Sequence, residues 1–197
     1  MKKRIAFFDF DGTITTKDTL LEIIKFYKGS SAFYIGFILN APFIVAWKAG
    51  LITNQAAKER MLTWFFKKKP LASFQESCNE FARTQIPALI RPKALQEIKK
   101  LQELGAEVVI VSASAENWLQ EWCTEHGVQL IGTKLQIKNN LLTGKIEGFN
   151  CHGKEKANRI KAVFDLNSYH EIYCYGDTKG DKPMLALATS SFYKPFR

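Results

Sequence analysis

Acidic residues are scarce in this 197-residue chain, where 19 Asp and Glu stand against 28 Lys and Arg for a net charge of +9. Cysteine is scarce too. Cys78, Cys123, Cys151 and Cys174 are far apart with no C-x-x-C pair, which excludes zinc-ribbon and thioredoxin-like centres and implies reduced thiols. With 6 Pro, 12 Gly and no internal repeat, collagen-like and low-complexity chains are excluded. The opening MKKRIAFFDFDGT is not expected to act as a secretory leader: it starts with basic residues, but Asp9 cuts the apolar run short of a leader's hydrophobic region. A cytoplasmic protein is expected, peripheral at the inner face of the membrane if the apolar stretch described below meets lipid.

Hydrophobic surface is abundant. With 46% hydrophobic residues, among them 15 Phe, 6 Tyr and 4 Trp, the chain is not disordered. Its length fits one core of about 150 residues plus an insertion. The charge is uneven: residues 15–90 carry ten basic and five acidic residues, a net +5, against +1 for 1–14 and +3 for 91–197.

Ile5 to Phe10 is an apolar run closed by Asp11-Gly12-Thr13, the pattern of a buried strand stopping at a turn. A helix from Pro92, with Leu95, Ile98, Leu101 and Leu104 on one face and Gly105 as its stop, leads into a second strand, Glu107 to Ser112. The spacing then predicts a helix over 115–126, a hairpin of 130–138 and 142–146 about Asn139-Asn140, a helix over 154–164, a strand over 172–175 and a short helix over 183–188. This alternation implies an α/β fold, a Rossmann-like doubly wound parallel sheet formed by 1–14 and 91–197. Residues 15–90 show only helical signals and read as an inserted all-helical cap over the carboxyl ends of the strands, where open α/β sheets place their ligands.

Asp9 and Asp11 are two apart at a strand end, so both carboxylates point into one crevice, an arrangement suited to a metal or to a nucleophile with an acid/base partner. Ser112 closes the second strand with a hydroxyl beside backbone N–H groups, a ready phosphate contact. Lys154 opens a helix, where a cation is disfavoured unless an anion is near. Asp177 and Asp181, in GDTKGD after the last strand, supply further carboxylates for a divalent cation.

In order, DFDGT, VSAS, the Lys of HGKEK and GDTKGD resemble the four motifs of the haloacid dehalogenase superfamily of phosphatases, over nearly the whole chain. The cap's position is similar to that of subfamily IB, which includes phosphoserine phosphatase and phosphatidylglycerophosphatase C. The resemblance implies that Asp9 attacks phosphorus to form an aspartyl-phosphate and that Asp11 protonates the leaving oxygen and then activates water. It further implies Mg²⁺ held by Asp9, the Asp11 backbone carbonyl and Asp177, a phosphate gripped by Ser112 and Lys154, and support from Asp181.

The cap holds two substrate clues. Arg60, four residues after Ala56 and four before Trp64, lies on an otherwise apolar helix face and takes the place of a cap Arg that, by resemblance, grips an amino-acid carboxylate. Asp18 stands where that subfamily has Glu, and Gly180 where it has Asn, and both departures argue against phosphoserine. The other clue is 29–47, uncharged over 19 residues, with 13 apolar residues among the 16 from Ala32 to Trp47. It is short of the ~20 residues of a membrane span, and a span would part Asp9 from Ser112, Lys154 and Asp177. It reads either as a buried cap helix, or a helical hairpin turning at Asn40-Ala41-Pro42, packed on the core, or as a monotopic hairpin flanked by Lys25, Lys28, Lys48 and Lys67-Lys68-Lys69, the whole contact spanning 29–49.

The leading expectation is therefore a Mg²⁺-dependent phosphomonoesterase acting on a lipid phosphate such as phosphatidylglycerophosphate. The alternatives are a soluble small-metabolite phosphatase and a catalytically silent peripheral lipid-binding protein. Nucleic acid is not an expected partner, because the basic residues form no recognisable reading module.

Overall fold

The computed structural model describes residues 3–197 and realises the α/β expectation. Strand β1 (Arg4–Phe8) is followed by helices α1 (Thr19–Lys28), α2 (Ser30–Lys48), α3 (Asn54–Phe66), α4 (Leu71–Thr84) and α5 (Ile86–Leu89). Then come α6 (Pro92–Glu103), β2 (Ala106–Ala115), α7 (Glu116–Glu125), β3 (Gln129–Thr133), β4 (Leu135–Lys138), β5 (Leu141–Ile146), α8 (Lys154–Val163), β6 (Glu171–Gly176), α9 (Lys182–Leu185) and β7 (Ser190–Tyr193). Five strands form one parallel sheet in the order β3-β2-β1-β6-β7, with Phe8 level with both Ile110 and Tyr175.

Strand alternation divides the interior into two layers, as a doubly wound sheet requires. On one face Ala6, Phe8, Val108, Ile110 and Tyr175 pack with Ile98 and Leu101 of α6 and with Trp118 and Trp122 of α7. On the other, Ile5, Phe7, Val109, Val111 and Cys174 pack with Ile160 of α8 and Met184 of α9. Phe8 stacks on Tyr175 at 4.1 Å between ring centroids, Tyr175 stacks on Phe192 at 4.8 Å, and the Tyr175 hydroxyl donates to Glu97 at 2.9 Å. All four cysteines are free and buried, and burial pushes their thiols up, Cys151 to about 11.

Three sequence expectations need correction. The stretch 130–138 is not one hairpin arm. Its first part is β3, paired with β2 in the main sheet, and only β4 and β5 form the antiparallel hairpin. Strand β7 is missed from sequence because Ser-Ser-Phe-Tyr carries no alternation, and it is held by pairing with β6. Finally, 29–49 does not turn at Asn40-Ala41-Pro42: α2 runs unbroken through Pro42. The Asn40 side chain is buried and donates back one turn to the Gly36 carbonyl at 2.7 Å, which keeps that residue in the helix, while Pro42 sits on the exposed side.

The helical segment leaves and rejoins the sheet at one point. Thr15 bridges to Ile90, the Thr16 N–H donates to the Leu89 carbonyl at 2.8 Å and the Arg91 N–H to the Ile14 carbonyl at 2.8 Å. From there α4 packs on α7, and α3 packs on β5 so closely that a Cβ on Gly144 would lie 2.4 Å from the Thr63 Cα.

Candidate active site

The turn after β1 is built around Gly12, whose φ of +83° suits a residue without Cβ; a Cβ there would stand 2.6 Å from an Asp177 carboxylate oxygen. This close approach brings the loops after β1 and β6 together. Asp9, Asp177 and Asp181 are all buried and present carboxylate oxygens within 4.8 Å of one another. The Thr13 hydroxyl lies 2.9 Å from the Asp9 carboxylate and 3.4 Å from that of Asp177.

A cation completes this floor, but it is not Lys154. The structure leaves Lys154 exposed at the first turn of α8 and buries Lys156, whose Nζ donates to Asp9 at 2.5 Å and to Asp181 at 2.7 Å. Helix phase decides between them: Lys156 lies four residues before buried Ile160 and so points into the core, a spacing visible in the sequence. Burial works to lower the Lys156 pKa, and the Asp9 and Asp181 carboxylates outweigh it and hold the ammonium above its usual range. Burial likewise raises Asp9 to about 7, against the pull of Lys156. Asp181 is held low, because Lys156 and its Thr178 hydrogen bonds overcome burial. Asp177 is raised by burial and by Asp181 while Arg197 pairs with it at 2.5 Å.

Asp11 points to a different set of partners. It accepts from the Ser114 hydroxyl at 2.6 Å and from the Thr19 N–H at 2.7 Å. Because the Ser114 proton goes to Asp11, the Thr19 hydroxyl, 2.9 Å from Ser114, must be the donor there, and the Trp118 Nε1–H in turn donates to Thr19 at 3.1 Å. This relay fixes the Asp11 carboxylate, and its members escape sequence reading because they lie about 95 positions apart and no short motif links them. Ser112 is fully buried and accepts the Ser114 N–H at 3.0 Å, while Ala113 and Ser114 of the same strand line the cleft.

Above the floor lies a cleft of about 580 Å³, walled by Leu20, Leu21, Phe37, Ile44, Trp47, Ala57 and Met61 and edged by Asp18, Lys58 and His152. Asp18 caps α1 by accepting from the Leu20 and Leu21 N–H groups, and crowding by protein and the nearby Asp11 charge raise its carboxyl. Arg60 does not line the cleft. It is exposed, with its guanidinium 4.5 Å from the Phe43 ring centroid, because the phase of α3 turns Lys58 inward instead. Lys58 Nζ donates to the Ala113 carbonyl at 2.5 Å; burial lowers its pKa, while Asp18 and Asp11 oppose the shift.

A five-stranded parallel sheet, a helical insert after its first strand, and carboxylates after β1 and β6 beside one buried lysine of α8 define a phosphatase-like hydrolase. Residues 6–186 match the haloacid dehalogenase-like hydrolase family, and the chain belongs to it. Protein CicA of Caulobacter vibrioides is 32% identical over 196 residues, covering 96% of this chain and 85% of CicA. A histidinol-phosphatase of Neisseria meningitidis is 28% identical over 131 residues, 63% of this chain and 58% of that protein. Among solved structures, a Bordetella pertussis protein of unknown function superposes with a TM-score of 0.84 at 22% identity, covering 97% of this chain and 89% of that one. A phosphoserine phosphatase holding a phospho-aspartyl intermediate analogue superposes with a TM-score of 0.70 at 18% identity, covering 97% and 86%.

Proposed function

We propose that this enzyme is a Mg²⁺-dependent phosphomonoesterase working through an aspartyl-phosphate on Asp9. The observation that carries the reading is Lys156 bound to Asp9 and Asp181 at 2.5 and 2.7 Å, beside an Asp11 oriented by its own relay. An Asp9 oxygen attacks phosphorus, the ester P–O bond breaks, and Asp11 gives its proton to the leaving oxygen. Asp11 then takes a proton from the water that hydrolyses the acyl phosphate and frees Asp9. Two of the three N–H donors of Lys156 are engaged, which leaves one for a phosphate oxygen. The Ser112 hydroxyl proton has no acceptor among the described residues and serves the same end. Asp181 positions Lys156, since its oxygens already accept from Lys156 and Thr178.

The donor set fits a hard divalent cation: Asp9 and Asp177 are buried oxygen donors at one point, held by Thr13. When bound there, Mg²⁺ would neutralise charge on the phosphoryl oxygens.

For the substrate, the relatives named histidinol-phosphatase and phosphoserine phosphatase support a small phosphorylated metabolite, its polar end meeting Asp18 and Lys58. A second reading, a lipid phosphate such as phosphatidylglycerophosphate, is favoured by the apolar wall that Phe37, Ile44, Trp47 and Met61 give the cleft. A phosphate-release screen decides between them, using p-nitrophenyl phosphate, phosphoserine, histidinol phosphate and detergent-dispersed lipid phosphates with wild type and Asp9→Asn. Release that persists undiminished in Asp9→Asn would refute the aspartyl-phosphate, and the preferred substrate settles its class.

A further inference from the structure

Helix α2 presents two unlike sides. Its inner seam, Phe33, Gly36 and Asn40, is buried, and Gly36 allows contact so close that a Cβ would lie 2.3 Å from the Phe65 ring. Its outer side is bare. Ile35 is 60% exposed, Ile38 69%, Leu39 54% and Val45 64%, with Leu51 beyond the helix end at 79%. Only 17% of its most apolar 18-residue window is buried, at a mean hydropathy of 1.4. A core helix of a soluble domain would hide such a sequence, and at about 28 Å long it exposes a patch far beyond the scattered apolar residues of an ordinary surface.

The charges around it are of one sign. No acidic residue occurs between Glu22 and Glu59, and Lys28 and Lys48 stand at the two ends of the helix. Lys28 lies against Lys69, which with partial burial lowers the Lys28 pKa, and Lys67 and Lys68 adjoin them. Among the described residues none of these five lysines pairs with a carboxylate. Trp47 of α2 faces the cleft and Trp64 of α3 lies against the Gly36 seam, so neither takes part in the bare outer side.

We propose that the outer side of α2 docks in the plane of an anionic lipid bilayer, with Ile35, Ile38, Leu39 and Val45 in the acyl boundary and the flanking lysines on acidic headgroups. The helix does not cross the membrane, because its seam is fixed to α3 and both its ends return to the same globular body. A second copy of the chain is the poorer occupant, since a symmetric contact would bring unpaired lysines of two copies together with no carboxylate between them. Phe37, Ile44 and Trp47 also wall the cleft, so the docked helix would separate bilayer from active site by its own thickness. Docking rests on surface chemistry alone; its bearing on the substrate rests on the phosphatase reading.

The test is sedimentation of the full chain with phosphatidylcholine vesicles, with and without about a third phosphatidylglycerol, beside an Ile38→Glu/Val45→Glu variant. Wild type is expected to bind the anionic vesicles and release in high salt, and the variant to bind at least roughly tenfold more weakly. Equal circular dichroism melts and equal hydrolysis of soluble p-nitrophenyl phosphate would show the variant folded. Absence of wild-type binding, or binding unchanged in the variant, overturns the proposal, as does a concentration-dependent dimer by light scattering that the variant abolishes. A wild type that binds the anionic vesicles but hydrolyses no phosphate ester would instead count against the phosphatase reading alone.

Discussion

The floor and the wall of the cleft follow opposite rules. On the floor, Asp9, Asp177, Asp181 and Lys156 are buried and every charge has a partner. On the wall, apolar side chains of α2 face outward, and among the described residues the neighbouring Lys28, Lys48, Lys67, Lys68 and Lys69 pair with no carboxylate. Buried charges must be matched because the interior solvates them poorly, whereas exposed cations remain free to meet a partner outside the chain. Under the proposed hydrolysis and docking, chemistry is assigned to the floor and recognition to the wall.

The hardest test of that division is Asp9→Asn, expected to lower turnover about 10³-fold or more while the circular dichroism spectrum stays unchanged. Next, Lys156→Ala leaves Asp9 and Asp181 without their cation and is expected to cost about 3–5 kcal/mol in urea unfolding. Lys154→Ala, two positions away on the surface, should change stability by less than about 0.5 kcal/mol; similar losses from both would erase the distinction. On the wall, Gly36→Val forces the α2 seam off Phe65 and should cost about 1–3 kcal/mol, whereas Ile38→Gln on the outer side should be nearly neutral.

Smaller effects sharpen the picture. Because burial raises Asp9 to about 7, its carboxyl keeps a proton below that pH and competes with a cation. The Mg²⁺ concentration for half-maximal activity should therefore rise up to about tenfold from pH 7 to pH 6 and level off above pH about 8. A flat profile would show that proton and cation do not compete at Asp9 in this range. Least in size, Lys58→Ala should raise KM about fivefold for substrates with a second anionic group and less for p-nitrophenyl phosphate, with Arg60→Ala near wild type.

The same division governs what the sequence discloses. An apolar run closed by a turn of Asp and Gly marks where a parallel strand ends, so the positions of Asp9, Asp11, Asp177 and Asp181 and the α/β core are readable from short patterns, although the separate partners of Asp11 are not. Lys156 is readable too, but only from helix phase, which a motif centred on Gly153 obscures. The wall resists because composition alone does not set which face of a helix turns inward: Lys58 and Arg60 are two apart, and packing of α3 decides between them. Asn40 and Pro42 look like a turn until the buried Asn40 amide is seen bonded back to Gly36.

Helix α3 ties the molecule together in a way that limits how the cleft opens. Glu59 accepts from the Ile146 N–H and pairs with Lys145, and the Thr63 hydroxyl donates to the Gly144 carbonyl, while Gln75 of α4 exchanges two hydrogen bonds with Asn117. The insert is thus moored at both flanks, and a wholesale swing would break each mooring. At the start of α1 the Thr19 N–H donates to Asp11 and the Thr19 hydroxyl to Ser114, and from α3 Lys58 reaches down to the Ala113 carbonyl. With its frame fixed on every side, the insert leaves the standing cleft beside α2 as the way in to Asp9, so a substrate is sized by an opening that is already set.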